Sequence, residues 1–200
     1  LYRDGRDVAL SFKKAIVGEK HMYHIAKQWS NEQELSQRLV ETLGNERTMQ
    51  ISYEQLIHAP VQTIQRICNF LNVPYNSKVL SYYNSEESDI TARSGEMWKN
   101  VTKPIMTDNF NKFIAELSRE EIRIFEIVAG KTLVKLGYQP YLNLNGNNKL
   151  FTKEEIAGFN KENVRLKELA IQMAKKKDLL KRTGQKNLIA EIKSRTYLIV

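Results

Sequence analysis

One short strand pattern constrains the fold of this chain more than any other feature. Residues 48–53, Thr-Met-Gln-Ile-Ser-Tyr, combine β-branched and aromatic side chains over a short run. A helical pattern that ends at Gly44 precedes the run, and another that begins at Pro60 follows it. A strand between two helices is typical of an α/β unit, so we predict a parallel sheet flanked by helices.

Helical patterns account for most of the remaining chain. Residues 84–107 show no periodicity and are predicted to form a long loop. The last helix pattern is expected to break at Gly184. Three pairs with capping-box spacing predict helix starts: Ser30 with Gln33, Ser118 with Glu121, and Thr152 with Glu155.

Composition changes divide the chain into three parts. Residues 139–151 contain Pro140, Gly146 and four asparagines, a composition typical of a linker. We therefore predict an α/β domain over residues 1–138, a linker over 139–151 and a helical extension over 152–200. Residues 174–195 hold eight basic and two acidic side chains, so this extension carries most of the net charge of +8. Such a segment is typical of a solvated helix face; contact with nucleic acid or an anionic membrane is the alternative.

Other features limit the setting of the protein. The chain has 200 residues and one cysteine, Cys68, so it forms no internal disulfide. No apolar run approaches the roughly 20 residues of a membrane span. A reduced, cytoplasmic location is favoured, and a Golgi-lumenal or membrane-anchored parent protein stays open.

Residues 2–11 are the best candidate for a binding site. The segment has the pattern of a strand end, a tight turn and a helix start, a junction that presents backbone N–H groups to an anion. Arg3 could hold a phosphate group, and Ser11 could supply a hydroxyl. The alternative is that Arg3 pairs with Asp4 or Asp7 at a surface turn.

This segment resembles the 3′-phosphate-binding motif of sulfotransferases that use 3′-phosphoadenosine 5′-phosphosulfate (PAPS). The family pattern runs Arg-Asp-Pro-Arg-Asp, apolar residues, then Ser; Gly5 stands here in place of the Pro. Trp29, expected to be a packing residue, lies where the family commonly has a Trp. Further motifs follow in the family's order: residues 51–56 (Ile-Ser-Tyr-Glu-Gln-Leu, with Gln55 for the usual Asp), Pro60 with Thr63, residues 67–71, Arg93-Ser94-Gly95 with Trp98, and Leu136-Gly137-Tyr138.

The resemblance implies a P-loop-NTPase-like fold and a PAPS-dependent transfer of a sulfuryl group to a hydroxyl or amine. Arg3 and Ser11 would bind the 3′-phosphate, and Tyr53 would lie near the adenine. Arg93, Ser94 and Gly95 would belong to the loop that closes over the 3′-phosphate. No metal is expected.

The family's N-terminal phosphosulfate-binding loop and its catalytic base would both precede Arg3. The chain is therefore expected to be the C-terminal part of a sulfotransferase domain and to be inactive alone, with its catalytic residue unassigned. His21, His24 and His58 follow the motif and do not inherit the role of the base.

Two other functions stay open at this point. The chain could be a non-catalytic module that binds the nucleotide, or an interaction protein that works through its basic tail. The expected partners are PAPS or its product nucleotide and a small-molecule or glycan acceptor. Self-association through the last helices is an additional prediction, and specific nucleic-acid binding is not expected.

Overall fold

The computed structural model describes residues 1–142 and 150–196, and this part of the chain is mainly helical. Within it, two 3-10 helices, Ser77–Asn84 and Glu96–Thr102, flank an α-helix over Glu86–Ser94. The α-helices are α1 (Gly5–Lys14), α2 (Met22–Leu43), α3 (Tyr53–His58), α4 (Pro60–Phe70), α5 (Glu86–Ser94), α6 (Phe113–Glu116), α7 (Arg119–Lys135), α8 (Lys153–Gln172) and α9 (Lys176–Thr196).

The predicted parallel sheet of a P-loop-like α/β fold is wrong for the described residues. They contain no strand, only one isolated parallel bridge between Tyr2 and Ser52. Tyr2 N donates to Ile51 O at 3.0 Å, and Tyr53 N donates to Tyr2 O at 2.7 Å. The extended segment stops there because Ser52 caps α3: its hydroxyl accepts from Gln55 N at 3.1 Å, and the Gln55 side chain accepts from Ser52 N at 3.1 Å.

The core forms where α1, α2 and α7 meet. Trp29 of α2 and Phe125 of α7 are buried, and their ring centroids are 5.7 Å apart. Gly5, the first residue of α1, packs against both rings. Because any side chain at this position would overlap the rings, glycine lets the start of α1 approach the core closely.

Several helix ends agree with the sequence patterns. Ser118 with Glu121 and Thr152 with Glu155 form capping boxes on α7 and α8. Gly44 follows α2 with a φ of 72°, where a residue with a Cβ would be strained.

Three predicted boundaries are wrong. The α2 helix begins at Met22, so Ser30 lies inside it and its Oγ lies 2.6 Å from Thr132 Oγ1. Most of residues 84–107 is helical, because Ser85 caps α5 and a 3-10 helix follows. The last helical pattern breaks between α8 and α9, and Gly184 lies within α9.

The α8 helix packs on the segment between α1 and α2. Asn163 Oδ1 accepts from Lys20 N at 2.8 Å and from His21 N at 2.9 Å. Phe159 stacks on the His21 ring with centroids 4.6 Å apart. Lys20 Nζ in turn donates to the carbonyls of Phe12 and Val17, both at 2.7 Å, near the end of α1. Most of the predicted linker, residues 143–149, lies outside the described residues.

Among residues 1–142 and 150–196, no helix combines the length and apolar character needed to span a bilayer.

Candidate functional site

The parallel bridge brings Arg3 and Tyr53 together although 50 positions separate them in the chain. The Arg3 guanidinium carbon lies 4.5 Å from the centroid of the Tyr53 ring. Asn109 connects the two: Arg3 Nη2 donates to Asn109 O at 2.7 Å, and Asn109 Nδ2 donates to Tyr53 Oη at 2.9 Å. Arg3 Nε is buried and has no hydrogen-bond partner among the described residues, while the Arg3 side chain as a whole is 20% exposed.

A buried charge network fixes the turn that carries Arg3. Arg6 Nη2 lies 2.7 Å from Asp4 Oδ2, and Arg6 Nη1 lies 2.6 Å from Glu126 Oε1 of α7. Although burial opposes the charge, hydrogen bonds from Arg6 to Asp4 and Glu126 and their negative charges raise the pKa of Arg6. Glu126 also accepts from the backbone N–H of Tyr141 at 2.7 Å. These contacts hold residues 3–7 against the core.

Asp4 already occupies the N-terminus of α1. Its carboxylate accepts from Arg6 N at 2.9 Å, and the first residues of the helix are buried. The expectation that this helix end offers free N–H groups to an anion is therefore wrong. Part of the surface-turn alternative is correct, since Arg3 Nη2 lies 3.5 Å from Asp7 Oδ2.

Glu54 links the two motif segments from the other side. It accepts from Asp4 N at 3.2 Å and from the Tyr138 hydroxyl at 2.8 Å. Burial, together with the hydrogen bond to Glu54, raises the pKa of Tyr138 well above its ordinary value, so this hydroxyl stays protonated and donates. Glu54 lies within the motif of residues 51–56, and the resemblance assigns it no role. The Tyr-Glu pair next to a predicted strand end was the available signal.

Ser11 lies elsewhere, on an exposed face of α1. Its hydroxyl donates to Asp7 O at 3.2 Å. The residue lines a cleft of about 650 Å³ between α1, the second 3-10 helix and the junction of α8 and α9. Arg93 and Gly95 line an adjoining cleft of about 250 Å³.

The two clefts share Glu96, Lys99, Lys175 and Asp178 and are therefore parts of one surface depression. We call it the basic groove and define it by six residues: Ser11, Lys13, Lys14, Arg93, Lys99 and Lys175.

The structure thus divides the predicted site residues into two sets. Arg3 and Tyr53 form a contacting pair, and neither lines the basic groove. Ser11, Arg93 and Gly95 share the groove. The Ser94 hydroxyl donates to Thr91 O at 2.7 Å within its own helix.

A mainly apolar pocket of about 380 Å³ adjoins Tyr53. Its wall comes from α3, α4, the first 3-10 helix and the segment around Pro104. The side chains that line it with Tyr53 are those of Leu56, Ile57, Ile64, Val79, Leu80, Tyr82, Asn100, Pro104, Ile105 and Met106.

The histidines have structural positions. His21 caps α2, its Nδ1 accepting from Tyr23 N at 3.3 Å. Burial and the neighbouring His24 lower the pKa of His21, against the opposing effect of Glu162 and Glu121. His58 packs on a phenylalanine ring near α3. In residues 1–142 and 150–196, no group of three or more His, Cys, Asp or Glu side chains is placed to hold a metal ion.

Comparison with known proteins identifies the N-terminal part of the chain. Residues 1–77 match the model of the Sulfotransferase family. The chain is 28% identical over 151 residues to a protein-tyrosine sulfotransferase of Drosophila melanogaster, a match that covers 72% of this chain and 30% of that protein. It is 30% identical over 104 residues to protein-tyrosine sulfotransferase A of Caenorhabditis elegans, covering 52% of this chain and 27% of that protein.

A third relative, protein-tyrosine sulfotransferase 1 of Danio rerio, is 24% identical over 106 residues, which cover 49% of this chain and 28% of that protein. The matched stretches thus span less than a third of each relative. Arg3, Ser11 and Tyr53 all lie within the residues that match the family model. This match and these relatives support assignment of the chain to the sulfotransferase family.

Proposed function

We propose that this chain carries part of the donor site of a PAPS-dependent sulfotransferase. The observation that supports this most directly is the contact between Arg3 and Tyr53, at 4.5 Å, with the Arg3 side chain 20% exposed. Two motif residues that the resemblance assigns to one nucleotide meet although their segments are remote in sequence. An arginine donor next to an aromatic ring suits a ligand that joins a phosphate to a flat base.

The chain's residues fit such a nucleotide in chemistry. By the resemblance, Arg3 and Ser11 would hold the 3′-phosphate, Ser11 from within the basic groove and Arg3 from outside it. Tyr53 with the apolar pocket beside it would hold the adenine. Arg93 and Gly95 would close the site from the groove side. The bound donor would supply an activated sulfuryl group.

The part of this chain in the reaction would be positioning and charge neutralisation. The buried pairs of Arg6 with Asp4 and Glu126 keep the turn rigid, so Arg3 meets a ligand without first being ordered. Glu54 and Asn109 fix the two sides of the Arg3–Tyr53 pair through the hydrogen bonds described above.

The relatives bear on the acceptor. Each is named a protein-tyrosine sulfotransferase, which favours a tyrosine hydroxyl in a protein over the small-molecule or glycan acceptor expected from the sequence.

The proposal also includes the division of the chain into a sulfotransferase-like part (residues 1–138) and a helical extension (residues 152–200).

Nucleotide binding tests the proposal. Titration calorimetry of the 200-residue chain with adenosine 3′,5′-bisphosphate is expected to show binding that Arg3→Ala weakens about tenfold or more, because a charge-assisted hydrogen bond is lost. Arg38→Ala, which removes an exposed arginine of α2, is the matched control and should leave the affinity unchanged.

Equal affinities for the parent chain and Arg3→Ala would contradict the assignment. Transfer of labelled sulfate from PAPS to a tyrosine peptide tests the enzymatic part separately. Binding without transfer in a longer protein that includes this chain would identify a non-catalytic module instead.

A further inference from the structure

The two motif segments on the basic groove are separated by residues that belong to no motif. Ser11 lies on one side of the groove, and Arg93 with Gly95 lies on the other. Lys99 and Lys175 line both clefts and therefore stand between these segments. Lys175 comes from the turn between α8 and α9, outside the residues that match the family model.

Five basic side chains and two carboxylates, those of Glu96 and Asp178, line the groove, so its net charge is positive and suits an anion. Glu96 accepts from Lys99 Nζ at 2.7 Å and from Lys175 Nζ at 3.3 Å. The hydrogen bonds and charges of these two lysines lower the pKa of Glu96, so its carboxylate is a strong negative group between two cations. Lys13 and Lys14 pair with Glu121 and Glu116, which do not line the groove.

A phosphate dianion can take the place that Glu96 has between the lysines. It offers more acceptor oxygens and more negative charge than one carboxylate. Lys175 is well placed for such an exchange, because its side chain is 78% exposed and its contact with Glu96 is long, at 3.3 Å.

Packing of α8 places Lys175 at the groove. Asn163 and Phe159 fix α8 against residues 19–23, and Ala170, Met173 and Ala174 near its end line the same groove. The helical extension is thus continuous with the groove wall.

We infer that Lys175, with Lys99, binds the 3′-phosphate of the nucleotide, so that the α8–α9 turn completes the donor site. This inference rests on the proposed function and extends it to a part of the chain outside the family match. The ligand class is a phosphate monoester on a nucleoside, held between Ser11 and Arg93.

The test compares two nucleotides on the 200-residue chain by titration calorimetry. Adenosine 3′,5′-bisphosphate carries the 3′-phosphate, and adenosine 5′-monophosphate lacks it. Lys175→Glu is expected to weaken binding of the bisphosphate about tenfold or more and to leave binding of the monophosphate unchanged. Lys175→Arg keeps the charge and should bind the bisphosphate within about threefold of the parent chain.

Lys186→Glu is the matched control. It makes the same charge change at an exposed lysine of α9, away from the groove, and should leave both affinities unchanged. The bisphosphate affinity of the parent chain should also fall more steeply with salt than that of Lys175→Glu.

The outcomes separate this inference from the proposed function. If Arg3→Ala weakens binding and Lys175→Glu does not, the inference is wrong and the proposed function stands. If Lys186→Glu weakens binding as much as Lys175→Glu, net charge is responsible and the inference is wrong. If the parent chain binds no bisphosphate, both are wrong.

Discussion

Gly5 offers the sharpest test of how this chain packs. A Cβ at this position would lie 2.5 Å from Phe125 Cζ and 2.6 Å from two ring carbons of Trp29. Ordinary carbon contacts are about 3.5–4.0 Å, so each of these contacts would be about 1 Å too short. Both rings are buried, Phe125 at 0% and Trp29 at 4% exposure, so neither can swing into solvent.

These contacts set the size of the effect of Gly5→Ala. Overpacking of a well-filled core costs about 1–3 kcal/mol, and three short contacts to buried rings place this case at the upper end. Alanine restricts the unfolded chain and offsets up to about 1 kcal/mol of that cost. We therefore expect the free energy of unfolding to fall by about 2–3 kcal/mol, which lowers Tm by about 4–12 °C in a chain of this size.

Urea unfolding followed by circular dichroism measures this change. Gly130→Ala is the matched control, because a Cβ on that α7 glycine would meet nothing within 4 Å. It should raise stability by about 0.5–1 kcal/mol through helix propensity. Trp29→Phe makes room beside Gly5, so the double variant should lose less stability than the sum of the two single variants. A Gly5→Ala chain as stable as the parent would refute this account of the core.

Two further predictions concern charged and titrating groups. Glu126→Gln leaves Arg6 with one carboxylate partner in a buried site and should lower the free energy of unfolding by about 2–3 kcal/mol in urea titrations. The control Glu120→Gln, at an exposed pair with Arg123, should change the free energy of unfolding by less than about 0.5 kcal/mol. Equal losses in the two variants would contradict a structural role for the Arg6 network. The pKa of His21 is lowered in the folded chain, so its neutral form contributes to stability. This contribution is fully present above the unfolded pKa of about 6.5 and is lost as pH falls through the folded pKa. The stability advantage of the parent chain over His21→Asn should therefore shrink between pH 7.5 and pH 5. An advantage that stays constant across that range in urea unfolding would show that His21 does not titrate in this way.

The helix ends that were predicted correctly are those with complete local signals. The capping boxes at Ser118 and Thr152 and the glycine after α2 specify their boundaries within a few residues of sequence. The Ser52–Gln55 box has the same spacing, but it overlaps the end of the strand pattern at residues 48–53, so the sequence there favours a strand end. A strand pattern does not say how many neighbours the strand will have, and here Ser52 pairs only with Tyr2 within the described residues.

In the candidate site, too, residues within a motif could be predicted from the sequence, and residues that reach the site only through folding could not. The resemblance singled out Arg3 and Tyr53 from their motifs, and the structure places them in contact. Asn109, which hydrogen-bonds to both, lies in a segment with no motif, so nothing near it in sequence indicated its position. Lys175 belongs to the basic segment of residues 174–195, but its place on the groove depends on how α8 packs and has no local signal.

The bond between Asn163 and the segment after α1 has a consequence for synthesis. Lys20 and Asn163 are 143 residues apart, so the ribosome must add that length of chain before the contact can form. At about 5–20 residues per second this takes about 7–30 s, far longer than the microseconds in which a helix forms. During that interval, the backbone amides of Lys20 and His21 cannot donate to Asn163 Oδ1. The segment between α1 and α2 therefore gains this contact only after most of the chain has been synthesised.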